Sequence, residues 1–306
     1  MTTFILRRIV SLFFVLFCVV TITFLLIRLA PGGPFDRERK IPPQIEKELL
    51  AKYKLDGPIW VQYRGYIWDV MHGDLRLSTK YRNRSVNELL AQSLPVSGTL
   101  GGVAFLIATA GGIWIGAFAA VRHDRPSDTL AMLGALLAIS IPTFVIGPLL
   151  ILVFALKLRW FPVGGWNGLA SLVLPAVTLA SPYVAYIARL MRTSMLDVLG
   201  LDFIRTARAK GLAESGIVYK HALKVAILPV VSFLGPLAAN LLTGSIVVES
   251  IFNIPGAGGF FVNSIQNRDG FLLGGVVIVY CALLVAMNLA VDLAYVALDR
   301  RIKLYD

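Results

Sequence analysis

Six long windows of the chain carry no charged residue, and they set the predicted architecture. The windows cover residues 9–27, 89–121, 129–156, 160–188, 225–248 and 270–291, and each has at least 19 residues. About 20 residues of α-helix cross the roughly 30 Å of a bilayer's hydrocarbon core. Because lipid offers no partner to backbone polar groups, such spans must be helical. We therefore predict an all-α, polytopic membrane protein with six transmembrane helices.

The first window could be either a cleaved signal peptide or a retained anchor. It follows Arg7 and Arg8, as the apolar core of a secretory signal would. Its 19 residues exceed a usual signal core, and no clear cleavage pattern of small residues follows. We therefore interpret this window as a retained membrane anchor.

The polar segment between the first two windows predicts a folded region outside the lipid. Apolar positions at helical spacing indicate two amphipathic helices in it. The first helix begins after Pro42-Pro43, stops at Gly57-Pro58, and carries Ile45, Leu49, Leu50 and Tyr53 on one face. The second ends near Gly73 and carries Trp60, Tyr63, Tyr66, Ile67, Val70 and Met71. Two interpretations stay open: a cap that packs on the helical bundle, or a docking surface for a delivery protein.

A basic segment joins the fourth and fifth windows. On a helix, Ile204, Ala207 and Gly211 share one face, while Arg205 and Arg208 share another. Gly211 must end this helix or let another backbone come close. A face of small residues flanked by fixed positive charge suits insertion into a cleft on a partner protein. The alternative is a basic loop that only sets the topology.

Composition supports the membrane assignment and gives it a direction. The chain is 57% hydrophobic and 15% charged, with a formal net charge of +11. With a cytoplasmic N-terminus, the cytoplasmic pieces hold 14 of the 29 Lys and Arg residues, and the short outer loops hold three. The other twelve lie in the long outer segment, which the positive-inside rule largely ignores. We predict that both termini are cytoplasmic, and the positive charge is therefore assigned to topology and not to nucleic-acid binding.

The sequence shows no recognisable catalytic, nucleotide or metal site. Gly211 and Gly216 have the spacing of P-loop glycines, but Ile217 and Val218 stand where Lys and Ser/Thr are needed. The three histidines form no zinc-protease motif, and no serine lies in a nucleophile elbow. We therefore expect no enzymatic activity, no bound cofactor and no metal in this chain.

Charged residues at the span ends are assigned boundary or structural roles. Glu249 closes the fifth window and Asp292 lies near the inner end of the sixth. A proton-coupled carrier would place such groups at mid-membrane. A self-sufficient carrier or channel and an intramembrane enzyme are therefore rival hypotheses that the sequence does not favour.

The basic segment resembles the coupling loop of permeases from binding-protein-dependent ABC importers. It reads Arg205-Thr206-Ala207-Arg208-Ala209-Lys210-Gly211-Leu212, followed by His221-Ala222-Leu223-Lys224 and Leu228-Pro229. The general loop starts Glu-Ala-Ala and has a glycine four residues after the second alanine. Ala207 and Gly211 match this pattern, whereas Arg205 and Thr206 depart from it in the way usual for the peptide/nickel permease group.

The resemblance extends over essentially the whole chain. Further matching segments are 28–32, 73–75, 140–144, 162–166 and an outer-loop motif that runs from Glu249 through Pro255, Gly256 and Gly258. Several independent motifs in the right order make the resemblance specific. Segments 52–55 and 164–168 look most similar to the B-type permeases of oligopeptide systems.

The resemblance implies a type I ABC importer permease fold with three regions. These are an N-terminal tail and first helix (1–30), an extracytoplasmic segment (31–93), and a five-helix core (94–306) that contains a cytoplasmic coupling loop at about 193–226. The implied function is half of a translocation pore for oligopeptides in a bacterial inner membrane. The same architecture importing dipeptides, nickel, glutathione or another peptide-like solute is the alternative.

The resemblance also implies partners and site residues. A second homologous permease would complete the pore, two ATPase subunits would bind ATP and magnesium, and an extracytoplasmic binding protein would deliver peptide; membrane lipid surrounds the spans and nucleic acid is not expected. The implied ATPase-coupling residues are Arg205, Thr206, Ala207, Arg208, Lys210, Gly211 and His221. The resemblance assigns no substrate-binding residues.

Overall fold

The computed structural model describes residues 2–29, 48, 50–81, 83–242 and 245–298. The side chains are described for 10–28, 48, 50–81, 83–242 and 245–290. Nearly all of this structure is helical, and the described residues form no β-strand beyond one isolated bridge between Leu77 and Ser85. The helices are α1 (Thr2–Leu29), α2 (Ile59–Met71), α3 (Val86–Val121), α4 (Pro126–Ser140), α5 (Thr143–Lys157), α6 (Leu169–Leu199), α7 (Asp202–Ala209), α8 (Glu214–Ala226), α9 (Leu228–Leu242), α10 (Ile246–Ile251), α11 (Gly258–Gln266) and α12 (Gly270–Leu298).

Four of the described helices, α1, α3, α6 and α12, are long and apolar enough to cross a membrane by themselves. Two further candidate spans are bent pairs, with α4 and α5 meeting at 108° and α8 and α9 at 53°. Counting each pair as one span gives six. The prediction of an all-α polytopic chain is confirmed, although the third and fifth windows are broken and not straight helices.

Proline accounts for both breaks. Ile141 precedes Pro142 and adopts an extended conformation (φ −87°, ψ 121°), as the residue before a proline prefers. Pro229 is the second residue of α9 and has no N–H to donate to the carbonyl four residues earlier, so α8 and α9 cannot continue as one straight helix. Hydrophobicity alone does not show the bend at Pro142, because the residues on both sides of that break are equally apolar.

Helices α3 and α6 form the centre of the bundle through backbone contact. Small residues recur every three or four positions on the buried face of α3, at Ser97, Gly101, Ala104, Ala108, Gly112 and Gly116. A β-carbon at Gly112 would lie 2.5 Å from the Cβ of Ile187, and one at Gly116 would overlap the carbonyl oxygen of Ala188. Small residues allow the two backbones to approach this closely. The resulting van der Waals packing holds the helices together in lipid, where no hydrophobic effect drives their association.

Two prolines interrupt the hydrogen bonding inside α6. Pro175 and Pro182 both lie within the helix, and each removes one backbone donor. Pro182 leaves the carbonyl of Thr178 without its usual N–H, and the hydroxyl of Ser181 donates to that oxygen at 3.0 Å. The helix therefore stays continuous while its N-terminal half is locally weakened.

Residues 50–81 and 83–85, called the cap below, pack on α1 and α12. Tyr66 of α2 is 2% exposed and belongs to one apolar cluster with Phe24 and Leu272. The carboxylate of Asp269, at the start of α12, accepts hydrogen bonds from the Ser78 hydroxyl and from backbone N–H groups of the cap. These contacts support the interpretation of this segment as a folded cap on the bundle.

The helix predicted from Trp60 to Met71 is confirmed as α2. The helix predicted after Pro42-Pro43 lies mostly outside the described residues. The domain division at residues 30/31 and 93/94 stays a prediction, and α3 begins at Val86, eight residues before the second boundary.

Candidate functional site

Helix α7 carries four of the seven predicted coupling residues and stands at the end of α6. Gly200 and Leu201 connect the two helices, and the Thr206 hydroxyl donates to the Asp202 carbonyl at 2.9 Å within the first turn of α7. The eight residues of α7 are separated by a short turn from α8, and α8 leads back into the bundle. The segment is therefore a short helix held between two long elements of the core, and not an unstructured loop.

Gly211 ends α7 through its backbone conformation. Its φ of +75° lies in the left-handed region. The Gly211 N–H donates to the Arg208 carbonyl at 2.9 Å, and the Leu212 N–H donates to the Ala207 carbonyl at 3.3 Å. This pair of bonds is a Schellman motif, in which glycine is preferred because it has no Cβ to clash. Of the two roles open to Gly211, the structure supports the helix end: a β-carbon there would meet nothing within 4 Å.

Two of the three residues on the small-residue face of α7 point into this chain, whereas Gly211 is exposed. Ile204 is fully buried and Ala207 is 8% exposed. Both belong to the main apolar core, together with Ile217 and Ala222 of α8. Burying Ile204 against α8 holds α7 on the bundle. Insertion of this face into a partner's cleft stays a prediction.

The opposite face of α7 is exposed and mostly basic. Arg205, Thr206, Arg208 and Lys210 are exposed, as is His221 on α8. Large apolar side chains accompany them on the surface, at Phe203, Leu212 and Tyr219. A surface that combines exposed aromatic and aliphatic groups with fixed positive charge is suited to bind an apolar cleft with an acidic rim.

An ion pair closes the turn between α7 and α8. The Arg208 guanidinium donates to both carboxylate oxygens of Glu214, at 3.2 Å from Nε and 2.6 Å from Nη2. Both side chains are about half exposed, so the pair contributes at most about 1 kcal/mol to stability. Its geometry nevertheless fixes the direction of Arg208. Arg205 makes only a longer contact with Asp202, at 3.4 Å, between two strongly exposed side chains.

The outer-loop motif is organised around a buried carboxylate. Glu249 is 3% exposed and accepts hydrogen bonds from the Ser97 hydroxyl at 2.6 Å and from the Gly258 N–H at 3.0 Å. The same hydroxyl accepts the Ala257 N–H at 2.7 Å. Burial raises the pKa of Glu249 above its usual value, while the hydrogen bonds from Ser97 and Gly258 oppose that rise. Glu249 therefore connects α10 to α3 and to the start of α11.

The glycines of this motif are required by space. A β-carbon on Gly256 would overlap the Glu249 carboxyl group, and one on Gly258 would lie 2.7 Å from the Ile246 backbone nitrogen. Pro255 precedes them in the turn. The structure thus brings Glu249, Gly256 and Gly258 together, and supports the structural role assigned to Glu249. The side chain of Asp292 lies outside the described residues.

Two features of the site were missed in the sequence. Ser97 lies 152 residues before Glu249, and nothing in its local pattern distinguishes it from the other small residues of α3. Asp128, which is 3% exposed, accepts hydrogen bonds from Arg192 at 2.6 and 2.7 Å. This bidentate pair connects the start of α4 to the C-terminal part of α6, close to the segment that carries α7. The sequence shows that Asp128 and Arg192 have opposite charges and lie near the ends of two spans. This alone does not predict that they pair.

An apolar cavity of about 450 Å³ lies beside the outer-loop motif. Its lining includes Leu94, Asn240, Gly258, Phe261 and Tyr280. Within the described residues, no group of three or more His, Cys, Asp or Glu side chains is arranged to hold a metal ion.

The chain is similar to known transport proteins over its full length. A family profile described as "Binding-protein-dependent transport system inner membrane component" matches residues 112–304, and the N-terminal profile of such membrane components matches residues 1–94. The chain is 45% identical, over 99% of its length and 100% of the relative's, to the oligopeptide transport system permease protein OppB of Salmonella typhimurium (strain LT2). It is 43% identical, over 100% of its length and 99% of the relative's, to the dipeptide transport system permease protein DppB of Bacillus subtilis (strain 168).

Among solved structures, the fold resembles a chain of the MetNI methionine ABC transporter in an inward-facing conformation. The TM-score is 0.55 at 18% sequence identity, over 69% of this chain and 97% of the other. At this identity the likeness concerns the fold alone.

Proposed function

The chain belongs to the family of binding-protein-dependent transport system inner membrane components, as a permease subunit of a peptide ABC importer, and we propose that it forms one half of a pore for oligopeptides. The observation that carries the proposal is the full-length 45% identity to an oligopeptide permease. The spans and the exposed basic helix α7 are what such a subunit needs. The chain is a multi-pass inner-membrane protein, and the excess of Lys and Arg in alternate short loops supports cytoplasmic termini.

We propose that α7 transmits the motion of ATPase partners to the spans. Two ATPase subunits would bind ATP and magnesium, and the surface formed by Arg205, Lys210 and Phe203 would contact one of them. Ile204 and Ala207 anchor α7 to the core, so a displacement of α7 moves α8 and the end of α6 with it. ATP drives such a change only if the partner binds α7 differently in its ATP-bound and ATP-free states. The permease itself would carry out no covalent chemistry and bind no cofactor.

One permease chain would form only half of the pore wall, so further partners are expected. A second, homologous permease would supply the other half of the wall, and an extracytoplasmic binding protein would deliver the peptide to the outer face. The cap and the outer-loop motif held by Glu249 are the surfaces on the side where delivery would occur. In this arrangement the pore opens alternately to the two sides.

The test is uptake in cells that lack their own peptide importers. The chain would be expressed with its co-encoded permease, ATPases and binding protein, and uptake of a labelled tetrapeptide and a labelled dipeptide would be measured. Uptake of the tetrapeptide that is lost on deletion of this chain is the expected result. Uptake of neither peptide by a fully assembled complex would overturn the peptide assignment.

Dipeptides are the second candidate substrate, because a dipeptide permease is 43% identical over the whole chain. In the same assay, uptake of the dipeptide without the tetrapeptide would favour it. Reconstitution of this chain alone in vesicles tests the carrier hypothesis. Gradient-driven peptide transport without ATPases would contradict a role as half of a pore.

A further inference from the structure

A small crevice lies where the end of α1 meets the cap and the start of α12. It encloses about 20 Å³ and is lined mainly by apolar groups, including Phe24, Ile27 and Phe271. Arg28, the last charged residue of α1, and Tyr66 also line it. A volume of this size holds one water molecule or one atom of similar radius.

Arg28, which lines the crevice, and Arg76, which packs on two of its rings, each have buried nitrogens without an acceptor among the described residues. Nη2 of Arg28 and both Nη atoms of Arg76 are buried, and no described residue accepts a hydrogen bond from them. The Arg76 side chain is 5% exposed and uses only its Nε, which donates to Asp69 at 2.9 Å. Its charge lies 5.4 Å from the centre of the Tyr66 ring and 5.5 Å from that of Phe271, two rings that line the crevice.

Among the described acidic groups, only Asp69 pairs with Arg76, and the carboxylates nearby are largely engaged by other groups. Asp69 is shared between Arg76 and Lys54, whose Nζ lies 3.1 Å from the carboxylate. Asp74 is exposed and accepts the backbone N–H of Arg76. Asp269 is engaged by Ser78 and by backbone N–H groups. Arg28 and Arg76 are also close enough to repel each other electrostatically.

A positive, apolar crevice with unpaired N–H groups calls for a negative occupant. A buried guanidinium without an acceptor is costly, and a charge-assisted bond to an anion removes that cost. Burial raises the pKa of Tyr66 to about 12, so its hydroxyl stays protonated and able to donate. An arginine N–H forms a strong charge-assisted hydrogen bond to a phosphate oxygen, and the single oxygen that the crevice can hold needs one such bond.

We propose that this crevice is a phosphate-type anion site, in which one oxygen enters the cavity and accepts a hydrogen bond from Nη2 of Arg28. The phosphate would belong either to an anionic lipid headgroup or to free phosphate. The end of a transmembrane helix lies at headgroup depth, and α1 exposes Phe13, Phe14 and Leu26 as a lipid-facing surface. The site joins α1 to the cap through a ligand and not through a direct ion pair.

Thermal unfolding of the full chain in nanodiscs tests the proposal. Discs of phosphatidylcholine alone are compared with discs containing phosphatidylglycerol, and the first are also measured with phosphate or with gluconate at equal ionic strength. We expect the anionic lipid, or phosphate, to raise the midpoint by about 2–4 °C at a concentration several times its Kd. The rise should disappear in Arg28→Gln and persist in Arg64→Gln, which removes an exposed cap charge away from the crevice.

Each outcome has a defined meaning. A rise with phosphatidylglycerol alone assigns the site to a lipid headgroup, and a rise with phosphate alone assigns it to a free anion. No rise with either, or an equal rise in wild type and Arg28→Gln, overturns the proposal. If Arg28→Gln fails to insert, the comparison of the two lipid compositions and the two anions in the wild-type chain still decides. Arg28→Lys then serves as a variant that keeps the positive charge but lacks the guanidinium group.

Discussion

Replacement of Gly211 tests whether this position needs glycine for its backbone conformation or for its small size. At its φ of +75°, an ordinary L-residue costs about 1–2 kcal/mol, whereas asparagine adopts this conformation more readily. A cost of that size lowers the ratio of capped to uncapped ends of α7 roughly 5–30-fold. Because a β-carbon meets nothing within 4 Å in this chain, the penalty comes from the backbone and not from a clash within the chain.

The assay is ATP-dependent peptide uptake by the reconstituted complex, with membrane insertion checked for every variant. We expect uptake to fall in the order glycine, asparagine, alanine, valine, and Gly211→Val to abolish uptake while the protein still inserts. Gly216→Ala is the matched control, because Gly216 has an ordinary helical φ of −64° and equally open space, so uptake should be unchanged. If asparagine were worse than alanine, size against the partner would decide, and the conformational reasoning would be refuted.

Three further predictions test the packing and the topology. Glu249→Ala leaves the Ser97 hydroxyl and a buried N–H without an acceptor, so it should cost about 1–3 kcal/mol in thermal or denaturant unfolding, while Glu249→Gln should cost less; equal costs would contradict the buried hydrogen-bond network. Gly116→Val should prevent the contact of α3 with α6 and lower the amount of folded protein in detergent, whereas Gly102→Val, where a β-carbon meets nothing within 4 Å, should be tolerated. In a chain without its native cysteines, an impermeant thiol reagent added outside should label cysteine at position 83 and not at 215; labelling of 215 from outside would contradict the six-span topology.

The sequence predicts the spans well because their cause is local. A charged side chain at the bilayer centre is costly, so an uncharged window of sufficient length is enough evidence for a crossing. The bends at Pro142 and Pro229 have a local cause as well, but proline inside a transmembrane helix does not always break it. Pro175 and Pro182, which lie inside the continuous helix α6, illustrate this difference.

Side-chain partners in the site depend on distant residues and were therefore harder to predict. The helix and the shared face of Ile204 and Ala207 follow from spacing, but spacing does not say whether a small-residue face turns toward the chain's own core or toward a partner. The carboxylate of Glu249 lies at the end of an apolar window, where the sequence suggests an exposed boundary group. Its burial depends on Ser97, a residue that the fold brings to it from the second span.

The prolines of α6 divide this helix into parts with different mechanical behaviour. C-terminal to Pro182, close backbone contact with Gly112 and Gly116 fixes α6 against α3. This section would therefore behave as one rigid rod that carries α7 at its end. N-terminal to Pro182, the backbone hydrogen bonds missing at Pro175 and Pro182 lower the energy needed to bend the helix. A push on α7 would therefore be transmitted along this rigid section and appear as a tilt of the N-terminal half of α6. This would place a hinge of the permease in the middle of the most buried of its described candidate spans.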